Sequence, residues 1–511
     1  MASVQSITRL MEKLSISSER PQTLVEMKSF VTSVPSSTLK NVVKANDLLA
    51  LFECINTENK EQIENTCFIL SILLPIVDPF EIITYLSASL QVGLEHPNQE
   101  VKLLALKELN HIISTPEGAR ALCESPEIVK LVIKLVAEDE ELIALAAVRF
   151  LSDYGSISPM AARMMLAEGT DSNLNDLKEA MQKNSVVRYR VYEIICDIQS
   201  QSEEMLNLCL DTGIIADLVK ELLGDDVLSM VTCCAMLANM ASSQHSFNYL
   251  VQSGVVSKMT ELLKDSQENP LSSLYIPGVI RFFGNLCLYN GPKVVVDIYP
   301  VFCHILFDLI KSSEQSKKLV AMETIGVVGE SFEGKSLLYD QGKRCTEAVK
   351  EICHVMCHGS EDLRFRAVRT MRQLLTPSKE NEDQTDQIND ITVSWFQQIS
   401  LDPVDTIIGL CKQPFTDIRC SGFRLLQTVA ECNWGLPALV EVPTLTEFLL
   451  DRSTETEKPC KEAKFDVVKT IAMAPSSASI FGNQNYLRFR HFVNEGPFYV
   501  EASLSVAIED A

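Results

Sequence analysis

Apolar residues recur at i, i+3, i+4 and i+7 through almost the whole chain, the spacing that lines one face of an α-helix. Alternating, strand-like runs are scarce. One kind of helix keeps returning: VKLLALKEL from Val101, IALAAVRFL from Ile143, VRYRVYEII from Val187, VLSMVTCCAM from Val227 and PGVIRFFGNL from Pro277. It returns again as LVAMETIGV from Leu319, LRFRAVRTM from Leu363, IRCSGFRLL from Ile418 and AKFDVVKTI from Ala463. Most of the starts are separated by about 40–47 residues, the period of HEAT and armadillo arrays. A second landmark keeps the same beat. Gly169, Gly213, Gly254 and Gly342 each follow one short apolar helix and precede a longer one, the place for a left-handed residue that ends a helix.

Two landmarks in phase predict an all-α, HEAT/armadillo-like helical-repeat solenoid, a curved superhelix with a concave face. The period allows roughly nine to eleven units. Residues 1–95 read as degenerate N-terminal helical repeats and 96–375 as regular ones. Thr376 to Asp390, TPSKENEDQTDQIND, reads as an acidic mobile insertion on the rim, and 391–511 as further repeats with a capping segment.

Composition narrows the partners. The chain has 511 residues, 46% of them hydrophobic, a formal net charge of −23, a sequence pI near 4.8 and a mean hydropathy of +0.09. That charge repels nucleic-acid phosphates and anionic lipid, so neither nucleic acid nor membrane is expected as a partner. Sixteen cysteines are scattered without paired CxxC spacing, as buried thiols of a reducing compartment are. MASVQSITRLMEKL lacks the apolar stretch of a signal peptide, and the longest apolar run, Cys67 to Val77, is too short to span a bilayer. A cytosolic or nuclear protein is expected.

Four stretches invite a chemical reading. GESFEGKS, Gly329 to Ser336, has the letters of a phosphate-binding P-loop. It follows a repeat helix rather than a strand, carries Glu330 and Glu333 where phosphates would lie, and has no strand-borne Asp to hold magnesium, so a helix–helix turn is expected. CHVMCH, Cys353 to His358, has metal-ligating residue types, but all on one helix; core cysteines beside half-exposed histidines are expected. In the basic-aromatic runs, Lys102, Arg188, Arg364, Arg419 and Lys464 share one repeat position and are assigned to a ladder of bonds between neighbouring units. Arg190, Tyr192, Arg366, Arg369 and Arg372 fall off that position and are candidates for contacting a protein partner, since Arg and Tyr are favoured at interface centres. Tyr486, Arg488 and Arg490, in the C-terminal segment FGNQNYLRFRHFVNEGPFYV, are candidates too, against the plainer reading of that segment as a cap. The chain has no HExxH and no GxSxG, and its seven histidines are dispersed. No catalytic, cofactor-binding or metal-binding residue is assigned and no enzyme is expected.

Three stretches carry a more specific resemblance: NSVVRYRVYEII from Asn184, SWFQQISLDPVDTIIGLCKQPFTDIRC from Ser394, and FGNQNYLRFRHFVNEGPFYV from Phe481. In that order and spacing they resemble the 26S proteasome non-ATPase regulatory subunit 5 family, HEAT/armadillo-like assembly chaperones of the proteasome base. The resemblance implies a protein that holds the C-terminal helical domain of an AAA ATPase, regulatory subunit 7, in a precursor module with a second base ATPase and the large base scaffold subunit. It implies that docking on the 20S core is hindered meanwhile, that the chaperone leaves before the complex is mature, and that it is a monomer when free. The alternative is a general HEAT/armadillo scaffold or transport receptor for another protein. Armadillo cargo receptors line their groove with repeated Trp, whereas this chain has only Trp395 and Trp434.

Overall fold

The computed structural model describes residues 9–14, 16, 18–167, 169, 172–266, 268–377 and 385–499. All regular structure among them is helical. The chain divides into two compact units, residues 1–253 and 254–511.

Each unit is a stack of repeats, and each well-formed repeat has a short helix, a second helix and a long third helix. The third helices are the recurring apolar segments of the sequence, and consecutive ones pack on each other like rungs. In the first unit the rungs are α1 (Arg20–Ser33), α2 (Lys60–Leu73), α3 (Gln99–Ile113), α4 (Glu141–Ile157), α5 (Ser185–Gln199) and α6 (Val227–Met240). In the second unit they are α7 (Ser272–Asn290), α8 (Gln315–Val328), α9 (Glu361–Leu375), α10 (Thr416–Glu431) and α11 (Lys458–Met473). The first 95 residues, with their degenerate repeats, continue the same stack through α1 and α2.

Local sequence explains the breaks between helices. The short helices Pro116–Cys123, Pro159–Leu166, Glu203–Asp211 and Phe332–Asp340 open on Thr115, Ser158, Ser202 and Ser331. Each of those hydroxyls accepts a backbone N–H of the first turn that has no partner inside the helix. Three second helices start at glycines: Gly213, Gly254 and Gly342 have φ of +78°, +82° and +56°, which side chains with a Cβ rarely adopt. The fourth predicted glycine, Gly169, has neighbours outside the described residues.

The core runs along the rungs. Val101, Leu104, Ala105, Leu109 and Ile112 of α3 are buried, as are Ile143, Ala144, Ala147, Val148 and Leu151 of α4. Small residues let successive rungs approach. A Cβ on Gly284 of α7 would lie 2.7 Å from Thr324 Cγ2 of α8, and one on Gly326 of α8 would lie 3.3 Å from Thr370 Cα of α9. All sixteen cysteines are free thiols, and all but the half-buried Cys357 are buried, the behaviour of small hydrophobic residues.

Of the acidic insertion expected over Thr376 to Asp390, residues 378–384 lie outside the described residues, while Thr385–Phe396 is a helix. The last helix, Ser477–Glu495, packs on α11 and buries Phe481, Phe489 and Phe492. Arg452 stacks its guanidinium over Phe492 at 3.8 Å and donates to the carbonyls of Phe492 and Gly496.

A second glycine motif marks the exit from the rungs. A Cβ on Gly118, Gly334 or Gly435 would overlap the carbonyl oxygen six residues earlier, that of Ile112, Val328 or Val429. Gly334→Ala should therefore cost about 1–3 kcal/mol, the range for overpacking, read as a lowered thermal midpoint. Gly409→Ala, in Pro403–Cys411, meets nothing within 4 Å and should be neutral or stabilise by up to about 1 kcal/mol. Equal midpoints for the two variants would contradict this account.

Candidate protein-binding surface

The P-loop letters turn out to describe the end of one helix and the start of the next. Gly329 closes α8, Ser331 caps Phe332–Asp340, and Glu333 to Ser336 lie inside that helix. Lys335 is fully buried. Its Nζ donates to the carbonyls of Gly329 at 2.5 Å, Glu330 at 3.2 Å and Gln373 at 3.4 Å. Burial holds its ammonium down at about 8, partly offset by the Glu330 carboxylate. This is the opposite of a phosphate site: the segment presents carbonyl oxygens to a cation, where a P-loop presents N–H groups to an anion. The lysine satisfies orphan carbonyls at the end of α8 and ties them to α9 through Gln373.

CHVMCH forms part of Lys343–His358. Cys353 is buried, whereas His354 and His358 are exposed with ring centroids 5.1 Å apart. The thiol and the imidazoles thus belong to different faces of the helix, as expected from the sequence.

The basic ladder is present with its membership revised. Its members are the fourth residues of their rungs. Lys102 of α3 pairs with Glu138 at 2.6 Å and Arg188 of α5 with Glu221 at 2.6 Å. In the second unit Arg419 of α10 pairs with Glu455 at 3.4 Å, and Arg364 of α9 donates to Met356 O at 3.3 Å. Lys318 of α8, not assigned from the sequence, fills the same place and pairs with Glu351 at 2.6 Å. Lys464 does not. It is the seventh residue of α11, where α3, α4 and α9 have Ala105, Ala147 and Ala367, and its buried Nζ donates to Asp451 O and Thr454 Oγ1, both at 2.6 Å. A phase read from apolar letters alone slips by one helical turn where a lysine replaces a small core residue.

The candidate partner-contacting residues separate into three groups. Four are tied up internally. Arg190 donates to Val136 O at 2.9 Å and Glu138 O at 3.1 Å, capping the end of Pro126–Val136. Tyr192 is 1% exposed and donates to Glu221 at 3.0 Å, so its side chain is part of the core. Arg366 bridges Glu323 at 2.5 Å and Asp362 at 3.1 Å, and Glu323 also faces Arg281 at 3.8 Å, a chain of charges across α7, α8 and α9. Arg488 grips Glu447 with two bonds of 2.6 and 2.7 Å. Arg490 donates to Met473 Sδ at 3.4 Å, and Tyr486 is half-buried.

Arg369 and Arg372 remain. Arg369 is exposed and Arg372 half-exposed, and neither forms an ion pair among the described residues. Arg369 is the ninth residue of α9; the ninth residue of the adjacent rung α10 is the exposed Arg424. Sequence reading missed Arg424, although LRFRAVRTM and IRCSGFRLL carry the two arginines in register. In a chain this acidic, three cations on adjoining rungs, Arg369, Arg372 and Arg424, with no ion pair among the described residues, are suited to receive carboxylates. Trp395 is 2% exposed, and Trp434 donates its indole N–H to Thr392 at 2.9 Å, so neither indole is free to line a cargo groove. No single helix among the described residues is long and apolar enough to cross a membrane, though Val227–Met240 together with a second segment bent by 119° from it would pass on length and composition.

The arrangement defines a class: a helical-repeat protein whose buried polar groups bond neighbouring rungs and whose exposed rung faces carry unspent charge. The chain belongs to the 26S proteasome non-ATPase regulatory subunit 5 family. The family described as "Proteasome non-ATPase 26S subunit" matches residues 4–511. Proteins named 26S proteasome non-ATPase regulatory subunit 5 are similar over 95% of this chain and 95% of their own length, at 34% identity in Mus musculus and 33% in both Bos taurus and Homo sapiens.

The buried Lys335 yields a pH signature. A free lysine titrates near 10.4 and the folded one at about 8. Between those values the unfolded chain holds a proton that the folded chain has released, so this site's contribution to stability rises with pH and is lowest below about 8. Lys335→Met lacks the titration. The stability of the wild type relative to this variant should grow from about pH 7.5 to pH 10 in urea unfolding; a constant gap would show that Lys335 is not desolvated.

Proposed function

We propose that this protein is a chaperone for assembly of the base of the 26S proteasome regulatory particle. In this reading it binds the C-terminal helical domain of an AAA ATPase, regulatory subunit 7, within a precursor module that also contains a second base ATPase and the large base scaffold subunit. It hinders premature docking of the ATPase on the 20S core and dissociates before the mature complex forms. It acts in the cytoplasm or nucleus, is a monomer when free, and carries out no chemical step and needs no cofactor.

The observation that carries the reading is the family match along the whole length, since a solenoid with only a local match would share repeats and not a partner. The surface is compatible with it. A small helical domain can be oriented by charge and held by apolar contact, and Arg369, Arg372 and Arg424 supply an unpaired basic stripe on α9 and α10. A role for the segment's Lys335 in nucleotide binding is disfavoured, because its ammonium is already enclosed by carbonyls. The ATP chemistry of the assembly then belongs to the partner.

The test is affinity purification of the tagged protein from cell extract. Recovery of the ATPase and the scaffold subunit without the 20S core is expected. Recovery of no ATPase, or a stoichiometric presence in mature proteasomes, would defeat the proposal. Arg369→Glu with Arg372→Glu should weaken ATPase binding by at least about tenfold, or about 1.4 kcal/mol, with unchanged helical circular dichroism. Arg366 is unsuited to this test because its ion pair with Glu323 joins α9 to α8.

A further inference from the structure

Counting from the first residue of each rung exposes a pattern that the sequence periodicity does not show. The second and fifth residues are Leu142 and Leu145 in α4, Val186 and Tyr189 in α5, and Leu228 and Val231 in α6. Residues three apart share one helix face, and these three rungs are neighbours in the first unit. Leu142 is 64% exposed, Leu145 46%, Val186 57% and Leu228 72%. The Tyr189 hydroxyl donates to Ser229 at 2.8 Å, which draws α5 and α6 together beside the stripe. The architecture does not demand apolar residues there: the second residues of α8, α9 and α10 are Ser316, Asp362 and Asp417. Four exposed apolar side chains, with the half-buried Tyr189 and Val231 beside them, stand in register on adjoining rungs, the kind of grouping that marks an interaction site.

Carboxylates bracket this stripe. Glu141, Asp225 and Asp226 lie within three residues of it at the N-terminal ends of α4 and α6. On the other side, on the same helix faces, stand Asp153 of α4 and Glu193 and Asp197 of α5, all exposed. Glu193 and Asp197 form no ion pair among the described residues, and Asp153 has only a loose one, to Arg149 at 3.9 Å between two exposed side chains. Partial desolvation beside the rungs raises the Glu193 and Asp197 carboxyls; a Ser152 hydroxyl draws Asp197 back down in part, and a neighbouring carboxylate raises each, Asp197 for Glu193 and Asp153 for Asp197. Cations from outside would relieve that crowding.

We propose that the α4–α6 stripe docks an amphipathic helix whose apolar face is flanked by lysines and arginines. Apolar anchors seat on Leu142, Leu145, Val186 and Leu228, and the flanking cations meet the carboxylates on both sides, the helix-in-groove mode of recognition. This rests on the function proposed above for one point only, that the helix is carried by the C-terminal domain of the ATPase.

The experiment titrates the full-length protein into a labelled Leu/Lys amphipathic helical peptide of about five turns and follows fluorescence anisotropy at physiological salt. A Leu/Glu peptide of the same pattern and a scrambled Leu/Lys peptide are the controls. The patterned Leu/Lys peptide should bind, and Leu142→Asp with Leu228→Asp should weaken it by at least about tenfold without lowering the thermal midpoint, because both side chains are exposed. Met160→Asp, at a site 56% exposed on a short helix of the same unit, should leave binding unchanged. Equal affinity of the stripe variant, or equal affinity for the scrambled peptide, overturns the inference. In affinity purification the stripe variant should also recover less ATPase; full recovery overturns the ATPase as the source of the helix. Failure of the wild type to recover any ATPase instead defeats the function proposed above, while the peptide result stands by itself.

Discussion

Every feature of this molecule depends on the close stacking of one rung helix on the next. A single repeat has apolar residues on more than one face of its long helix and cannot bury them alone. Neighbours do so only if the backbones come near, which is why Gly284 and Gly326 stand where α7 meets α8 and α8 meets α9. Each buried Leu or Ile on a rung is worth about 1.5–3 kcal/mol relative to exposure, so the stack holds its own register. Once the register is set, a residue number along neighbouring rungs acquires a shared environment: in α3, α5 and α10 the seventh residue is core, the fourth pairs with a carboxylate of the adjoining repeat, and the second and ninth face out.

Stacking also creates a problem at the rung ends. The chain must leave each long helix and begin a short one within a few residues, while the last carbonyls of the rung are shut away from water. Unsatisfied, each such group would cost about 1–3 kcal/mol. The fold meets this with glycines that let the chain press against the rung end, and with cations. Lys335 at α8 is the most enclosed instance, and Arg190 and Lys183 do the same for the end of Pro126–Val136. The P-loop letters thus arise from one structural requirement, a glycine for close approach and a lysine for carbonyls, with no reference to phosphate.

What the stack does not use internally is left for recognition, and it is distributed unevenly. Rungs α4 to α6 present an apolar stripe between carboxylates, whereas α9 and α10 present three arginines that form no ion pair among the described residues. Each surface, taken by itself, can give orientation as well as affinity, since a partner bringing the wrong charge to it would set like charges together.

The helical class, the period and the family were all legible in the letters, because a solenoid repeats the same local physics and its apolar spacing is written out many times over. GESFEGKS could be placed in a helix–helix turn, and Cys353 in a core, from phase alone. The candidate site was less legible. Arg190, Tyr192 and Arg366 look like surface residues in VRYRVYEII and LRFRAVRTM, yet their bonds go to residues on other repeats, and no single helix records them. Lys318 joins the ladder for the same reason, through Glu351, while Lys464 leaves it because the apolar phase slips by one helical turn in α11. Local sequence determined which segments become helices and where they end, since capping and apolar spacing act over a few residues. Which charges are spent inside the stack and which remain for a partner was decided only by tertiary structure, because the partners of Arg190, Arg366 and Lys318 lie more than 30 residues away in the chain.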